Sequence, residues 1–317
     1  MNPFKKTFAE LAGFSSIGEA LKKHISPVSV TGISHIHRAQ LIYALSGEKL
    51  VLAVTGTEAE ARKLCDDINM MSGEETAVLF PAKEIVLTPV EGVNREYEYM
   101  RISALSKAAA GQCGIICAGT EAVMQPVIPA DSLISGSIEL KQGEEINLSG
   151  LCSRLSHCGY QRCEKVEGAS QFSVRGSIID IFPVQAARPV RIELFGDEID
   201  TISEFETDSQ RRTEPLESVN ISPASEVLYD NEELACAVEA VCAKARGKRA
   251  ERIREHLGAD VHRLRAGEIL SHSQKYYPLV YPERATIFDY IDGPVIFSDY
   301  SAVMDNAAGI TSRHNEE

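Results

Sequence analysis

The chain has 317 residues, 44% hydrophobic and 25% charged, with a formal net charge of −14 from 32 Lys+Arg against 46 Asp+Glu. This composition excludes general disorder, because enough apolar surface exists to offset chain entropy. The acidic balance argues against wrapping nucleic acid, and no apolar run approaches the roughly 20 residues that span a bilayer, so neither a membrane anchor nor a secretory leader is expected.

Residues 4–12 and 17–24 have helical spacing. Pro27-Val28-Ser29-Val30-Thr31 reads as a short strand ending at Gly32, and residues 35–45 as a helix closed by Gly47. Leu50-Val51-Leu52-Ala53-Val54 is continuously apolar, as in a sheet covered on both faces. Thr57 caps a helix over 58–71, with Glu60 completing a capping box. Residues 77–80 form a strand, 95–110 a helix and 114–118 a further strand. Apolar strands alternating with helices point to a parallel α/β layer.

From about Pro129 to Phe205 the pattern changes to short β-segments: 136–140, 172–175, 177–182, 190–195 and 198–205, interrupted by a helix over 148–157. Arg191-Ile192-Glu193-Leu194-Phe195 alternates polar and apolar residues, and Gly196-Asp197 turns it into Glu198-Ile199-Asp200. That is an antiparallel hairpin with one polar face, hence an α+β insert. A long helix over 232–256 follows, with a basic second half carrying Lys244, Arg246, Lys248, Arg249, Arg252 and Arg254. Residues 286–289 and 294–297 read as strands. The tail Ser312-Arg313-His314-Asn315-Glu316-Glu317 has no capping element, which raises the expectation of a fragment of a longer protein.

Catalytic chemistry is not found where the pattern would put it. A phosphate loop needs glycines that let backbone N–H groups approach the ligand, then Lys and Ser/Thr. The corresponding place, Thr31-Gly32-Ile33-Ser34-His35, keeps one glycine, has no lysine and puts the bulky Ile33 against the ligand position. Gly32, Ser34 and His35 are therefore read as a degenerate nucleotide loop. Val295-Ile296-Phe297-Ser298-Asp299 ends on a single carboxylate followed by Tyr300, so Asp299 reads as a helix N-cap rather than a magnesium ligand. The eight cysteines contain no C-x-x-C pair, and Cys158 beside His157 is the one adjacent Cys/His pair, so no metal site is expected and the thiols read as reduced and cytoplasmic.

Three longer motifs carry a resemblance. Leu79-Phe80-Pro81-Ala82-Lys83-Glu84 with Pro89-Val90-Glu91 and Arg95-Glu96-Tyr97-Glu98 is the first. Phe172-Ser173-Val174-Arg175-Gly176-Ser177-Ile178-Ile179-Asp180-Ile181-Phe182-Pro183 is the second. The third runs from Arg191 through Asp200 into Phe205-Glu206-Thr207-Asp208-Ser209-Gln210-Arg211. Together they resemble the N-terminal, UvrB-like region of the bacterial transcription-repair coupling factor family. The resemblance implies a degenerate RecA-like (P-loop-type) parallel-sheet domain in two parts, residues 1–127 and 207–317, with a small α+β UvrA-docking domain inserted at 128–206. It implies a non-catalytic module of transcription-coupled nucleotide excision repair that recruits UvrA to stalled RNA polymerase. ATP and magnesium, and contacts to RNA polymerase and DNA, would belong to motor and polymerase-binding domains absent from this chain.

The docking positions implied are Arg162, Arg175, Arg191 and Glu193; a further arginine of the related insert is replaced by Ser173. Read from the residues alone, Arg191 and Glu193 stand two apart on a strand and share one face, while Val190, Ile192 and Leu194 face the core. Two other functions compete: a DNA-dependent ATPase of the UvrB kind, against which the loop speaks, and direct DNA binding through the basic helix, where interleaved Glu251 and Glu255 and the lack of aromatics favour a solvated face.

Overall fold

The computed structural model describes residues 4, 6–7, 12–47, 49–84, 95–247, 250–270 and 272–316. Pro89-Val90-Glu91, Lys248, Arg249 and much of the expected helix over 4–12 lie outside the described residues. In chain order the strands are β1 (Val51–Thr55), β2 (Ala77–Phe80), β3 (Ile115–Gly119), β4 (Ile138–Lys141), β5 (Gln161–Arg162), β6 (Gln171–Arg175), β7 (Ile178–Ile181), β8 (Val190–Phe195), β9 (Glu198–Phe205), β10 (Arg212–Leu216), β11 (Ser218–Ile221) and β12 (Val295–Phe297). They fall into two compact units, one of Met1–Lys83, Ala104–Val127 and Ala285–Glu317, the other of Glu84–Ser103 and Ile128–Arg284. The second unit also takes in residues 84–103 and 207–284, which lie in the stretches 1–127 and 207–317 expected to form the nucleotide-type fold.

The first unit is an α/β layer. Its sheet is parallel, in the order β12-β1-β3-β2. β1 and β3 are buried at every position, which is why their sequences are apolar throughout rather than alternating. The helix Glu58–Ser72 lays Ala61, Leu64, Cys65 and Ile68 against Val51, Ala53, Ile115 and Cys117. It starts with the capping box read from the sequence: the Glu60 N–H donates to Thr57 Oγ1 and the Thr57 N–H to the Glu60 carboxylate. It stops at Gly73, which takes φ +79°. Asp299 is the N-cap expected of it, its carboxylate accepting from the Ala302 N–H at 3.2 Å ahead of the helix Tyr300–Glu316.

Three readings in this unit are corrected. Pro27-Val28-Ser29-Val30-Thr31 is no strand: among the described residues nothing pairs with it in a sheet and every residue is exposed, which leaves its backbone groups open to solvent. The helix His35–Leu45 ends on an extended Ser46, not on Gly47. Residues 286–289 are not a strand but lead into a 3-10 turn, Ile287–Tyr290, because the Asp289 carboxylate accepts from the Thr286 N–H at 2.6 Å and its hydroxyl at 3.0 Å. The Thr-x-x-Asp spacing was the signal for it.

The second unit holds the β-rich segment. Its main sheet runs β10-β9-β8-β7-β6-β5, antiparallel except for the edge pair β5–β6, and β4 pairs with β11 in a separate ladder. The inner face, with Phe172, Ile179, Ile181, Val190, Ile192, Leu194, Ile199 and Ile202, packs on Leu151 and Leu155 of the helix Leu148–His157 and on Ile138, Leu140 and Ile221. Each fully buried Ile or Leu contributes roughly 1.5–3 kcal/mol of hydrophobic stabilisation. The motif Arg95-Glu96-Tyr97-Glu98 acts structurally here. Arg95 donates to Ala224 O at 2.6 Å, and Glu98 accepts from Arg95, the Glu226 N–H and Gln274, each at 2.9 Å. Arg101 and Glu226, both wholly buried, pair at 2.6 Å; burial pulls the Arg101 guanidinium down to about 9, which leaves it charged at neutral pH.

The expected single helix over 232–256 is two, Asn231–Lys244 and Ala250–Arg265. The break is at Ala245, which leaves the helix with ψ 130°, and at Gly247, which takes φ +84°. Arg254 is then spent on carbonyls freed at that helix end, donating to Cys242 O at 3.1 Å and Ala245 O at 2.9 Å, and Arg265 pairs with Glu239 at 3.0 Å. No described helix is long and apolar enough to cross a membrane.

Candidate protein-docking site

The outer face of the main sheet collects most of the docking positions. Cross-strand register puts Ser173, Asp180, Arg191 and Ser203 in one row, and Arg175, Ile178, Glu193 and Thr201 in the next. Neighbouring strands lie about 4.8 Å apart, so Arg175 on β6 and Glu193 on β8 are roughly 10 Å apart across the face. β8 alternates as its sequence requires, with Val190, Ile192 and Leu194 buried and Arg191 and Glu193 on the open side.

β9 does not alternate, because its apolar residues Ile199, Ile202 and Phe205 are spaced by three. A register shift resolves this. Glu193 is level with Thr201, but Leu194 is level with Ile199, so Asp200 is an extra residue bulged out of the ladder. The bulge keeps Ile199 and Ile202 on the core side and leaves Phe205 on the outer side, beneath the Arg191 guanidinium at 4.6 Å from the ring centre.

Asp180 organises the arginines. Its side chain is 1% exposed and accepts from Arg191 Nε at 2.7 Å, Arg191 Nη2 at 2.9 Å and Arg175 Nη2. Arg191 Nη1 also donates to Gln210 O at 3.1 Å, tying β8 to the loop before β10. The hydrogen bonds to Asp180 hold the Arg191 guanidinium above its ordinary pKa. With 12% of its side chain exposed, Arg191 has few donors left for a partner. Arg175 is different: 47% exposed and using one nitrogen on Asp180, it presents the rest of its planar fork outward. Two arginines around one carboxylate leave the cluster with a net positive charge. Glu193 is paired with the half-exposed Arg212.

Arg162 stands apart. It lies on the edge strand β5, level with the core-facing Phe172, so alternation puts it on the opposite side from Arg175 although it is exposed. Ser173 is buried in the Asp180 row, and its hydroxyl and that of Thr201 have no hydrogen-bond partner among the described residues. The nucleotide-loop residues lie in the first unit. Gly32 takes φ +78°, the Ser34 hydroxyl shares a hydrogen bond with His37 Nδ1 at 2.9 Å, and His35 opens its helix exposed. Among the described residues no group of three or more His, Cys, Asp and Glu side chains is placed to hold a metal ion.

Residues 138–227, which contain this sheet, match the UvrB interaction domain family. The chain carries a UvrB interaction domain. Over 92% of its length it is 30% identical to the transcription-repair-coupling factor of Bacillus subtilis (strain 168), covering 26% of that protein. It is 28% identical over 80% of its length to the factor of Haemophilus influenzae, covering 22% of it, and 31% identical over 64% to that of Staphylococcus aureus (strain Mu50), covering 18%. The chain thus spans about a fifth to a quarter of the length of these relatives. Both findings agree with the family resemblance carried by the sequence motifs. The UvrB interaction domain accounts for the whole outer face just described: β6 to β9, the bulge and the Arg175–Asp180–Arg191 cluster all fall within it.

Proposed function

We propose that this chain is a docking module of transcription-coupled nucleotide excision repair and that the outer face of its main sheet binds UvrA. The observation that carries the reading is the arginine pair mounted on a buried carboxylate inside a UvrB interaction domain. Asp180 fixes both guanidiniums, so Arg175 meets a partner carboxylate with little further loss of freedom. Arg191 and Glu193 are positioning residues: one anchors Asp180 and the 206–211 loop, the other holds Arg212. Arg162 contributes at the sheet margin. The chain itself supplies no catalysis, the Gly32–Ser34–His35 segment lacking the donors a triphosphate needs, and its recruiting role toward stalled RNA polymerase depends on domains outside these residues.

The test is affinity for purified UvrA. Arg175→Ala is expected to weaken binding by about 1–3 kcal/mol while costing at most about 1 kcal/mol of folding stability. Unaltered binding by Arg175→Ala removes this face as the site.

A further inference from the structure

Phe195 ends β8 on the same side as Arg191 and Glu193, and it is 81% exposed, the most exposed aromatic among the described residues. Single exposed apolar residues are ordinary on protein surfaces, so exposure alone decides nothing; the surroundings of this one do. The Leu194 N–H donates to Ser177 O at 2.9 Å, which carries the β7–β8 register past the strand end and brings Gly176 level with Phe195. Gly176 has no side chain, and one built there would start in open space, with nothing within 4 Å. Gly176 takes φ +62°, a conformation that favours glycine, so the turn keeps this spot bare.

The backbone at Phe195 is held by the tight turn at Gly196, φ +66°, and by pairing with Glu198. The exposed Asp197 and Glu198 stand beside Phe195, while Arg175 lies on the same face two strands away, in the row of Glu193, with its guanidinium turned toward Asp180. The half-buried Ile178 extends the apolar surface toward Glu193. An exposed aromatic on the face that also carries the tethered Arg175, with charged residues around it, has the anatomy of an interface hot spot, where an anchor enters a pocket and a polar rim excludes water.

Resting on the UvrA reading above, we propose that Phe195 is the apolar anchor of the docking face. It enters a hydrophobic pocket of UvrA that presents an acid toward Arg175 and a base toward Asp197 and Glu198. Arg175 then supplies orientation and encounter rate, and Phe195 supplies the desolvated contact that slows dissociation.

The experiment measures UvrA association and dissociation for the wild-type chain and for Phe195→Ala, Phe195→Leu and Arg175→Ala, at low and high salt. Phe195→Ala is expected to weaken binding about 30-fold, through faster dissociation and equally at both salt concentrations, while Phe195→Leu recovers most of the loss. Arg175→Ala is expected to slow association and to flatten the salt dependence. Amide exchange of β8 and β9 in unbound Phe195→Ala should match wild type, which separates loss of an anchor from loosening of the hairpin. Wild-type binding with Phe195→Ala unchanged overturns the anchor and leaves the docking reading standing, whereas absence of wild-type binding removes the docking reading itself. Concentration-dependent self-association of the wild type that Phe195→Ala abolishes would assign the ring to a second copy of the chain and also overturn the proposal.

Discussion

Replacing Asp180 by alanine is the most informative single perturbation of the sheet. The carboxylate is 1% exposed and takes two bonds from Arg191, which is 12% exposed, and one from Arg175, which is 47% exposed. Hydrogen bonds to charged groups are worth about 1.5–3 kcal/mol each when shielded, and the Arg175 pair, half in water, at most about 1 kcal/mol. Without Asp180 the Arg191 guanidinium keeps Gln210 and the face of Phe205 but no counter-charge. Breaking a buried pair in this way costs about 3–5 kcal/mol. Arg175→Ala, by contrast, should cost no more than about 1 kcal/mol. Urea unfolding followed by circular dichroism reads both values, provided the slopes stay equal. The Asp180→Ala/Arg191→Ala double variant should lose less than the sum of the single losses, because the second change removes an already stranded partner. If Asp180→Ala unfolds within 1 kcal/mol or so of wild type, the idea that this carboxylate mounts the arginines is wrong.

Thr57→Ala, which removes the capping box of Glu58–Ser72, should cost about 1 kcal/mol in the same assay. Gly293→Ala should cost more, about 1–3 kcal/mol, because a Cβ there would lie 2.3 Å from the Leu50 carbonyl and would push β12 off β1. Alkylation at pH 8 should reach the exposed Cys236 first. Burial pushes the Cys113 and Cys158 thiols up to about 11, so they stay protonated and slow until the pH approaches that value or the chain unfolds. Peptide mapping after timed iodoacetamide treatment checks this, and early labelling of Cys158 would contradict it.

What could be read from the sequence follows from how many constraints each segment carries. Strands buried on both faces, such as Val51–Thr55 and Ile115–Gly119, announce themselves as unbroken apolar runs. The Thr57–Glu60 spacing and the Asp299 cap are local signals with one structural solution each. The hairpin of Arg191 to Asp200 was legible from alternation and its Gly-Asp turn. Non-local arrangements were not. Nothing local says that Asp180, eleven residues before Arg191, would become its buried counter-ion, although a lone Asp in the apolar run Ile178-Ile179-Asp180-Ile181 was a signal that it needed a partner. The split at Gly247 is marked by a glycine, but helix formers flank it on both sides and the pattern runs on through it. The strand expected over 27–31 has the right residues, but a strand exists only where a neighbour offers hydrogen bonds, and its composition cannot supply that. The bulge at Asp200 was implied by the three-residue spacing of Ile199, Ile202 and Phe205.

Hydrogen exchange of the chain with and without UvrA addresses the central claim with no substitution at all. The account requires slowed exchange in the turn between β6 and β7 and along the β8–β9 hairpin around Phe195, with the parallel sheet of the first unit unaffected. Protection confined to the first unit or to the helices Asn231–Lys244 and Ala250–Arg265, or no protection at saturating UvrA, would contradict it.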